Sequence, residues 1–198
     1  MARCKRLASA GHIYHVVNRG NDRRTIFLER VDYLMFRSLL IEGRRRFKID
    51  VFGHCSMPNH FHSLLRPQCQ DALSAYMQWV QCRYACYLRA RTQTVGHGHV
   101  FQRRFWSAPI VDDDHFRTVL RYVENNPVRG GVASRAQQWE WSSLRERDRG
   151  SRNLLSPLPC DLPDRWDELV NVCQPQGILN RIREELKSSR RRRAMAST

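Results

Sequence analysis

The order of short β-type runs and helical runs between residues 12 and 126 most constrains the fold of this chain. Runs of β-branched and aromatic residues predict strands, whereas apolar residues spaced three or four apart predict helices. The order is strand, helix, strand, strand, helix, strand, helix, over residues 12–18, 31–46, 49–56, 61–66, 71–89, 100–111 and 113–126. The first six runs match the split βαββαβ arrangement. This predicts an α+β, ferredoxin-like fold, with an antiparallel sheet and helices packed on one face.

Differences in composition predict three segments along the chain. Residues 1–132 contain the βαββαβ pattern and form the predicted main domain. Residues 133–189 contain tryptophan, several prolines and a helical spacing near 178–189, which predicts a helical C-terminal extension. Residues 190–198 begin with four arginines and predict a basic, disordered tail.

The charge of the chain indicates what it binds. It carries 34 lysine and arginine residues against 19 aspartate and glutamate residues, a formal net charge of +15. Such a charge repels itself in a compact chain, and the partner that compensates for it is a polyanion. A hydrophobic fraction of 41% excludes disorder throughout the chain. A G+C-rich genome also favours arginine over lysine, but codon bias alone does not create net charge, so nucleic-acid binding is the preferred interpretation.

The cysteines and the apolar runs indicate the compartment. Seven cysteines, an odd number, and no apolar signal segment predict a reduced, cytoplasmic protein. No run approaches the roughly 18 apolar residues of a membrane span, so no membrane partner is expected. The chain has no CxxC pair, and Cys82 and Cys86 are four apart within a helical pattern. Buried thiols are therefore predicted in preference to a zinc site.

Two histidines on the third predicted strand form a candidate metal site. His60 and His62 are two residues apart, so on a strand both imidazoles face the same side while Phe61 faces the core. Two neutral imidazoles are part of a ligand set for a divalent metal. A competing pair, His97 and His99, lies in a glycine-containing loop that does not fix its geometry. The strand pair is therefore preferred.

A tyrosine and an asparagine on the last helix of this pattern form a second candidate group. Tyr122 and Asn126 are four residues apart and so share a helix face. Spacing alone favours a boundary tyrosine with an asparagine at the helix end. A free tyrosine hydroxyl has a pKa of about 10 and is a weak nucleophile. A catalytic role requires a metal that polarises the electrophile.

Two basic stretches are candidate nucleic-acid contacts. Arg103, Arg104 and Trp106 lie in a run where arginine and aromatic residues are mixed, as in surfaces that bind single strands. The alternative is an amphipathic strand that covers the core, and the two interpretations are equally weighted. The turn that follows the first strand carries Asn18, Arg19 and Arg23, which are placed to meet phosphate.

Five motifs in order resemble those of the REP-associated tyrosine transposases of bacteria, a branch of the single-tyrosine HUH transposases. They are YHVVNRGNDRRTIF (14–27), MPNHFHSLL (57–65), FQRRFWS (101–107), LRYVENNPVRGGV (120–132) and WEWSS (139–143). Together they cover residues 10–145 approximately and are far more specific than a paired histidine alone.

The resemblance implies a catalytic domain over residues 1–132 that requires a divalent metal, Mg²⁺ or Mn²⁺. It places the paired histidines at His60 and His62, the third metal ligand at Asn126 and the nucleophile at Tyr122. The implied reaction is DNA transposition, in which single-stranded or hairpin DNA is cleaved and rejoined through a covalent 5′-phosphotyrosine. It also implies a monomer that is cytoplasmic and associates with the nucleoid when bound to DNA.

Recognition of the implied REP-like hairpin is expected to divide between phosphate contacts and stacking on exposed bases. The C-terminal extension, residues 133–189, is expected to contact DNA. The expected DNA contacts are Asn18, Arg19, Arg23, Arg103, Arg104, Trp106, Arg129, Arg190, Arg191, Arg192 and Arg193. Two alternatives stay open at this point: a domesticated protein that binds hairpins without cleaving them, and an RNA-binding module, which has the same strand order.

Overall fold

A computed structural model describes residues 8–150 and 153–195 of the chain, with the side chains of 189–195 outside that description. Its centre is a four-stranded antiparallel sheet with the order β2-β3-β1-β4. The strands are β1 (Tyr14–Arg19), β2 (Ile49–Met57), β3 (His60–Pro67) and β4 (Trp106–Pro109). The helices are α1 (Arg30–Arg46), α2 (Ala72–Arg91), α3 (Asp113–Glu124), α4 (Asn126–Arg129), α5 (Ser143–Asp148), α6 (Trp166–Asn171) and α7 (Gln176–Met195). This order confirms the predicted α+β class with its antiparallel, ferredoxin-like sheet.

The helices lie on both faces of the sheet, which corrects the prediction of a single covered face. Helices α1 and α2 cover one face and bury Val16, Phe61 and Leu65. Helix α3 and the chain after it cover the other face, over Phe52 and Leu64. Because side chains alternate along a strand, β2 and β3 each supply residues to both cores.

Helix α3, which carries Tyr122, is held close to the sheet by local features of the sequence. The Asp112 side chain accepts a hydrogen bond from the backbone N–H of His115 at 2.7 Å and so caps the first turn of the helix. At Gly53, beside an irregularity in the register of β2, a Cβ atom would lie only 2.5 Å from Leu120 Cδ1. A larger residue at position 53 would therefore force the buried Leu120 side chain of α3 to move.

The chain after α4 follows the edge strand β2 and packs beside α3, whereas Trp141 and Leu154 pack in the core under α1 and α2. Backbone N–H of Ser56 donates to the carbonyl of Trp141 at 2.9 Å, and Trp139 Nε1 donates to the carbonyl of Ser56 at 2.8 Å. Trp166 and Ile182 are buried in the same core as the apolar side of α3. The C-terminal extension is thus packed against the βαββαβ unit, and it contains helices as predicted.

The last helix and the cysteines depart from expectation. Helix α7 continues to Met195, so the backbone of 190–195 is helical where the arginine run predicts a disordered tail. Residues 196–198 lie outside the described part.

Cys55 is buried, but Cys82 and Cys86 are exposed, because they lie on the outer side of α2. The prediction of buried thiols is therefore wrong for this pair.

Candidate active site

The two histidines of β3 and the tyrosine of α3 lie together on the second face of the sheet. The ring centroids of His60 and His62 are 5.1 Å apart, and those of His62 and Tyr122 are 5.6 Å apart. Phe61, between the histidines, is buried among the side chains of the opposite face. The rings of both histidines and of Tyr122 thus form one cluster.

Asn126 joins this cluster because the helix breaks just after Tyr122. Helix α3 ends at Glu124, and α4 begins at Asn126 with a proline in its first turn. Asn126 Nδ2 donates to the carbonyl of Tyr122 at 3.0 Å. The Asn126 side chain also hydrogen-bonds to His60, which opposes the larger effect of burial on the pKa of His60. All four residues singled out in the sequence therefore lie at one site.

Arg129 adds a positive charge directly over the tyrosine. Its guanidinium carbon lies 3.9 Å from the centroid of the Tyr122 ring, a close cation–π contact. Arg129 Nη2 donates to Asn126 Oδ1 at 2.8 Å, whereas its Nη1 is buried with no hydrogen-bond partner among the described residues. A buried donor of this kind is available to an anion.

The three histidines on this face are neutral near pH 7. Burial, aided by nearby cations, lowers the pKa of His60 to about 4 and that of His62 well below its usual value. Burial also lowers the pKa of a third histidine, His15, to about 3. Neutral imidazole is the form that can coordinate a metal ion.

Hydrogen bonds to Asn59 and His15 engage the Nδ1 atom of each of the two strand histidines. His60 Nδ1 lies 2.7 Å from Asn59 Oδ1, and His62 Nδ1 lies 2.9 Å from His15 Nε2. An amide oxygen only accepts, so His60 Nδ1 carries the proton and Nε2 keeps its lone pair. At both histidines, Nε2 is the atom free of these hydrogen bonds.

The donor set fits a weakly held divalent cation. Two neutral imidazoles and the Asn126 amide oxygen would be the protein ligands, and oxygen atoms of a substrate would complete the coordination. Within 8–150 and 153–195, no group of three or more histidine, cysteine, aspartate and glutamate side chains is placed to hold a metal ion. The set therefore depends on the asparagine, and weak, exchangeable binding is expected.

His15 is the residue of this site that the sequence patterns do not reveal. It lies on β1, is 1% exposed, and its ring is stacked on that of His62 with centroids 5.2 Å apart. Alternation along β1 predicts only that His15 and Val16 face opposite sides of the sheet. The pairing of β1 with β3 is what brings His15 beside His62. Strand neighbours are not encoded in the local pattern.

The two basic stretches meet at one edge of the site. Gly20 forms a β-bridge with Phe101, and backbone N–H of Gln102 donates to the carbonyl of Arg19 at 3.0 Å. Arg23, Arg103 and Arg104 are exposed there. Arg19 and Trp106 are half-buried. We call these five residues (Arg19, Arg23, Arg103, Arg104 and Trp106) the basic rim.

One predicted DNA contact is wrong. Asn18 is fully buried, because its Nδ2 donates to Gln81 Oε1 at 2.8 Å and to the carbonyl of Arg103 at 3.0 Å. These two hydrogen bonds connect the basic rim to α2.

The competing histidines 97 and 99 lie in an exposed loop between α2 and β4. The side chains of Arg190, Arg191, Arg192 and Arg193 lie outside the described part.

None of the helices in the described part is both long and apolar enough to cross a membrane.

Comparisons with known proteins give one matching family model and similar proteins from two bacteria. The family model described as "Transposase IS200 like" matches residues 8–126. A Haemophilus influenzae protein named as a REP-associated tyrosine transposase is 25% identical over 153 residues, covering 73% of this chain and 86% of that protein. The REP-associated tyrosine transposase of Escherichia coli K12 is 24% identical over 135 residues, covering 68% and 76%.

A solved structure shows the same fold. A REP-associated tyrosine transposase bound to a REP hairpin superposes with a TM-score of 0.59 at 22% identity, covering 82% of this chain and 95% of that chain. At this identity, the similarity concerns the fold.

Proposed function

This chain belongs to the IS200-like transposase family, and from that premise we propose that it cleaves and rejoins single-stranded or hairpin DNA through a covalent bond to Tyr122. The similarity to REP-associated relatives confirms the resemblance of the motifs to that branch. The observation that carries the proposal is the position of the Tyr122 ring, 5.6 Å from that of His62 and directly under Arg129.

In the proposed reaction, the Tyr122 hydroxyl oxygen attacks the phosphorus of one phosphodiester. The bond from phosphorus to the 3′ oxygen breaks, and the phenolic proton ends on that oxygen, directly or through water. The product is a 5′-phosphotyrosine and a free 3′-hydroxyl. Because the phosphotyrosine is itself a phosphodiester, the attack of a 3′-hydroxyl on it reverses these bonds and rejoins DNA without an external energy source.

His60, His62 and Asn126 are the residues proposed to hold the metal, Mg²⁺ or Mn²⁺. A divalent cation at this position would polarise the phosphate and neutralise charge as it develops. The contribution of the chain is a set of ligands that are already neutral and ordered. The Asn126 side chain donates to the backbone carbonyl of Tyr122, so the proposed ligand and the proposed nucleophile would be positioned together.

Arg129 and Arg19 are proposed to bind the phosphate that is cleaved. Arg129 Nη1 is a buried donor without a partner in the described residues, next to the Tyr122 ring. Burial lowers the pKa of the Arg19 guanidinium, and the proximity of Tyr122 partly restores it. Guanidinium groups suit phosphate because their donors form a fixed fork.

The basic rim is proposed to hold the DNA that enters the site. Exposed arginines bind phosphate without regard to sequence, and Trp106 offers a ring on which an unpaired base can stack. The related structure is bound to a REP hairpin, and we extend that class of substrate to this chain. The proposal is for a monomer, with Tyr122 acting on DNA in its own site.

The test is the capture of the covalent intermediate. The chain is incubated with Mn²⁺ and hairpin oligonucleotides that carry a 5′ single-stranded extension and are labelled at the 3′ end. A protein–DNA adduct that resists denaturation is expected for the wild type and no adduct for Tyr122→Phe. Tyr33→Phe is the matched control, since Tyr33 packs on the opposite face of the sheet. An adduct of normal yield in Tyr122→Phe would reject Tyr122 as the nucleophile.

The burial of Tyr122, which is 5% exposed, favours a second candidate, a hairpin-binding protein that does not cleave. That protein would bind hairpin DNA equally well after His60→Ala and His62→Ala and would form no adduct in any variant. An RNA-binding module would give the histidine and tyrosine rings no reason to lie together. It would prefer RNA hairpins to DNA hairpins in a direct binding competition.

A further inference from the structure

A third histidine, His15, lies behind the proposed metal ligands and is not used by the proposed reaction. It is almost completely buried on β1, and its Nε2 lies 2.9 Å from His62 Nδ1. The two rings are stacked with an interplanar angle of 22°. The Tyr122 ring lies against the edge of both histidine rings, with centroids 6.0 Å from His15 and 5.6 Å from His62.

One proton lies in the hydrogen bond between these two nitrogens. The nitrogen that carries it determines whether His62 Nε2 can bind a cation. If His62 Nδ1 donates, then His62 Nε2 keeps its lone pair and can bind a cation. If His15 Nε2 donates, then the proton of neutral His62 is on Nε2, and that atom cannot be a ligand. Nδ1 of His62 is already engaged in either case.

The neighbouring histidine shows the arrangement that a ligand requires. His60 Nδ1 meets Asn59 Oδ1, which can only accept, so the tautomer of His60 is fixed by the chemistry of an amide oxygen. His62 has an imidazole in the equivalent position, and the tautomer of His62 therefore depends on the tautomer of His15. Ligating histidines generally donate their other N–H to such an acceptor, and this fixes both the tautomer and the ring orientation.

We propose that His15 is a positioning residue that accepts a hydrogen bond from His62 Nδ1 and thereby directs the lone pair of His62 Nε2 into the active site. The metal-binding part of this inference rests on the proposed function. The tautomer part does not, because it concerns only the hydrogen bond between two side chains of the chain itself.

Two substitutions separate the hydrogen bond from the packing of the ring. His15→Phe keeps an aromatic ring against His62 and removes the acceptor. His15→Gln places an amide oxygen at about the reach of Nε2 and restores it. His12→Phe is the matched control, since His12 is exposed near the start of the same strand and its Nδ1 lies 3.2 Å from the carbonyl oxygen of Ala10.

The experiment has two measurements on the full chain without DNA. Long-range proton–nitrogen NMR correlation of the imidazoles assigns the tautomer of His62, and titration with Mn²⁺ followed by electron paramagnetic resonance gives the metal affinity. We expect a wild-type proton on Nδ1 and its transfer to Nε2, in part or in full, in His15→Phe. We expect the Mn²⁺ affinity to fall by about 10–100-fold in His15→Phe and to recover in His15→Gln.

The inference is overturned by a wild-type His62 that carries its proton on Nε2, a result that needs no variant to fold. It is also overturned if folded His15→Phe keeps the wild-type tautomer and Mn²⁺ affinity. The proposed function fails separately, when the wild type forms no adduct with hairpin DNA while the NMR result stands. A reversed result, adduct in the wild type with no effect of His15→Phe on the tautomer, removes only the role of His15.

Discussion

The two faces of the sheet differ in what they bury. Under α1 and α2 the strands contribute apolar side chains such as Val16, Phe61 and Leu65. Under α3 the same strands contribute His15 and His62, both nearly inaccessible to solvent. Because a strand alternates its side chains, one short sequence builds a stable core on one side and a polar site on the other. The stability of the first face holds the second in position.

The largest expected effects come from neighbouring residues that belong to opposite faces. Phe61→Ala should lower the free energy of unfolding by about 3–5 kcal/mol, since it leaves a cavity in the core. His62→Ala should reduce the rate of adduct formation by about 10³-fold, because the proposed cation would supply several kcal/mol of transition-state stabilisation. Chemical denaturation and adduct kinetics on each variant measure both quantities.

This comparison breaks down if Phe61→Ala, assayed below its melting temperature, loses adduct formation as completely as His62→Ala. Such a result would mean that the two faces do not act separately. A normal rate for the folded fraction of Phe61→Ala supports the separation.

The next effect concerns Glu124, a buried carboxylate on the α3 face that anchors the C-terminal extension. It accepts hydrogen bonds from Ser143 Oγ and from Trp166 Nε1, at 2.5 and 2.8 Å, and forms an ion pair with Arg147. Glu124→Ala leaves the half-buried Arg147 without its ion pair and should cost about 3–4 kcal/mol of stability. Thermal unfolding measures this loss. Glu140→Ala, which breaks a surface ion pair with Arg30, should leave the melting temperature unchanged.

A pH-dependent loss of stability, of intermediate size, is expected from Glu146, a buried carboxylate of α5 beside His54 of β2. Burial raises the pKa of Glu146, but His54 and Arg37 outweigh it and lower this pKa to about 2. The carboxylate therefore stabilises the folded chain above its unfolded pKa of about 4.5. That contribution, about 2–3 kcal/mol, is lost as the pH falls from about 4.5 to 2. Urea unfolding at a series of pH values should show this slope in the wild type, and Glu146→Gln should flatten it.

Substitutions of Arg129 are expected to slow adduct formation less than His62→Ala does. Arg129 lies on the α3 side of the sheet and is not part of the apolar core there. Arg129→Met should slow adduct formation by about 10²-fold, because it removes the cation over Tyr122 and a donor for the phosphate. Arg129→Lys should recover little, since an ammonium group lacks the planar fork. Single-turnover kinetics at saturating DNA separate this loss from weaker binding. Recovery of the full rate by lysine would reduce the role of Arg129 to charge alone.

Local patterns in the sequence predict those parts of the site that depend on one element. The spacing of His60 and His62 on a strand, and of Tyr122 and Asn126 across a helix end, follows from the periods of the two structures. The order of the runs also predicts the sheet. In each case the relevant neighbours lie within a few residues, so the chain's own geometry determines the result.

The features that escape prediction depend on which elements become neighbours. His15 contributes to the site only because β1 pairs with β3, and α3 lies opposite α1 and α2, where the C-terminal extension packs in the same core. Asn18 is a polar residue beside a basic turn, as expected of a DNA contact, but the packing of α2 against β1 buries its side chain. Polar residues in turns have no pattern that separates an internal hydrogen bond from an exposed contact.

The smallest expected effect is on hairpin binding at the basic rim. It distinguishes an exposed DNA contact, Arg103, from a buried residue with internal hydrogen bonds, Asn18. Arg103→Gln should weaken hairpin binding only a few-fold and reduce the slope of log affinity against log salt by about 1, as expected for one lost phosphate contact. Asn18→Ala should leave that slope unchanged and instead cost about 1–3 kcal/mol of stability, because the amide of Gln81 loses its partner. Binding measured across salt concentrations, together with unfolding, tests both. A changed salt slope in folded Asn18→Ala would return Asn18 to the DNA contacts and show that the rim opens when DNA binds.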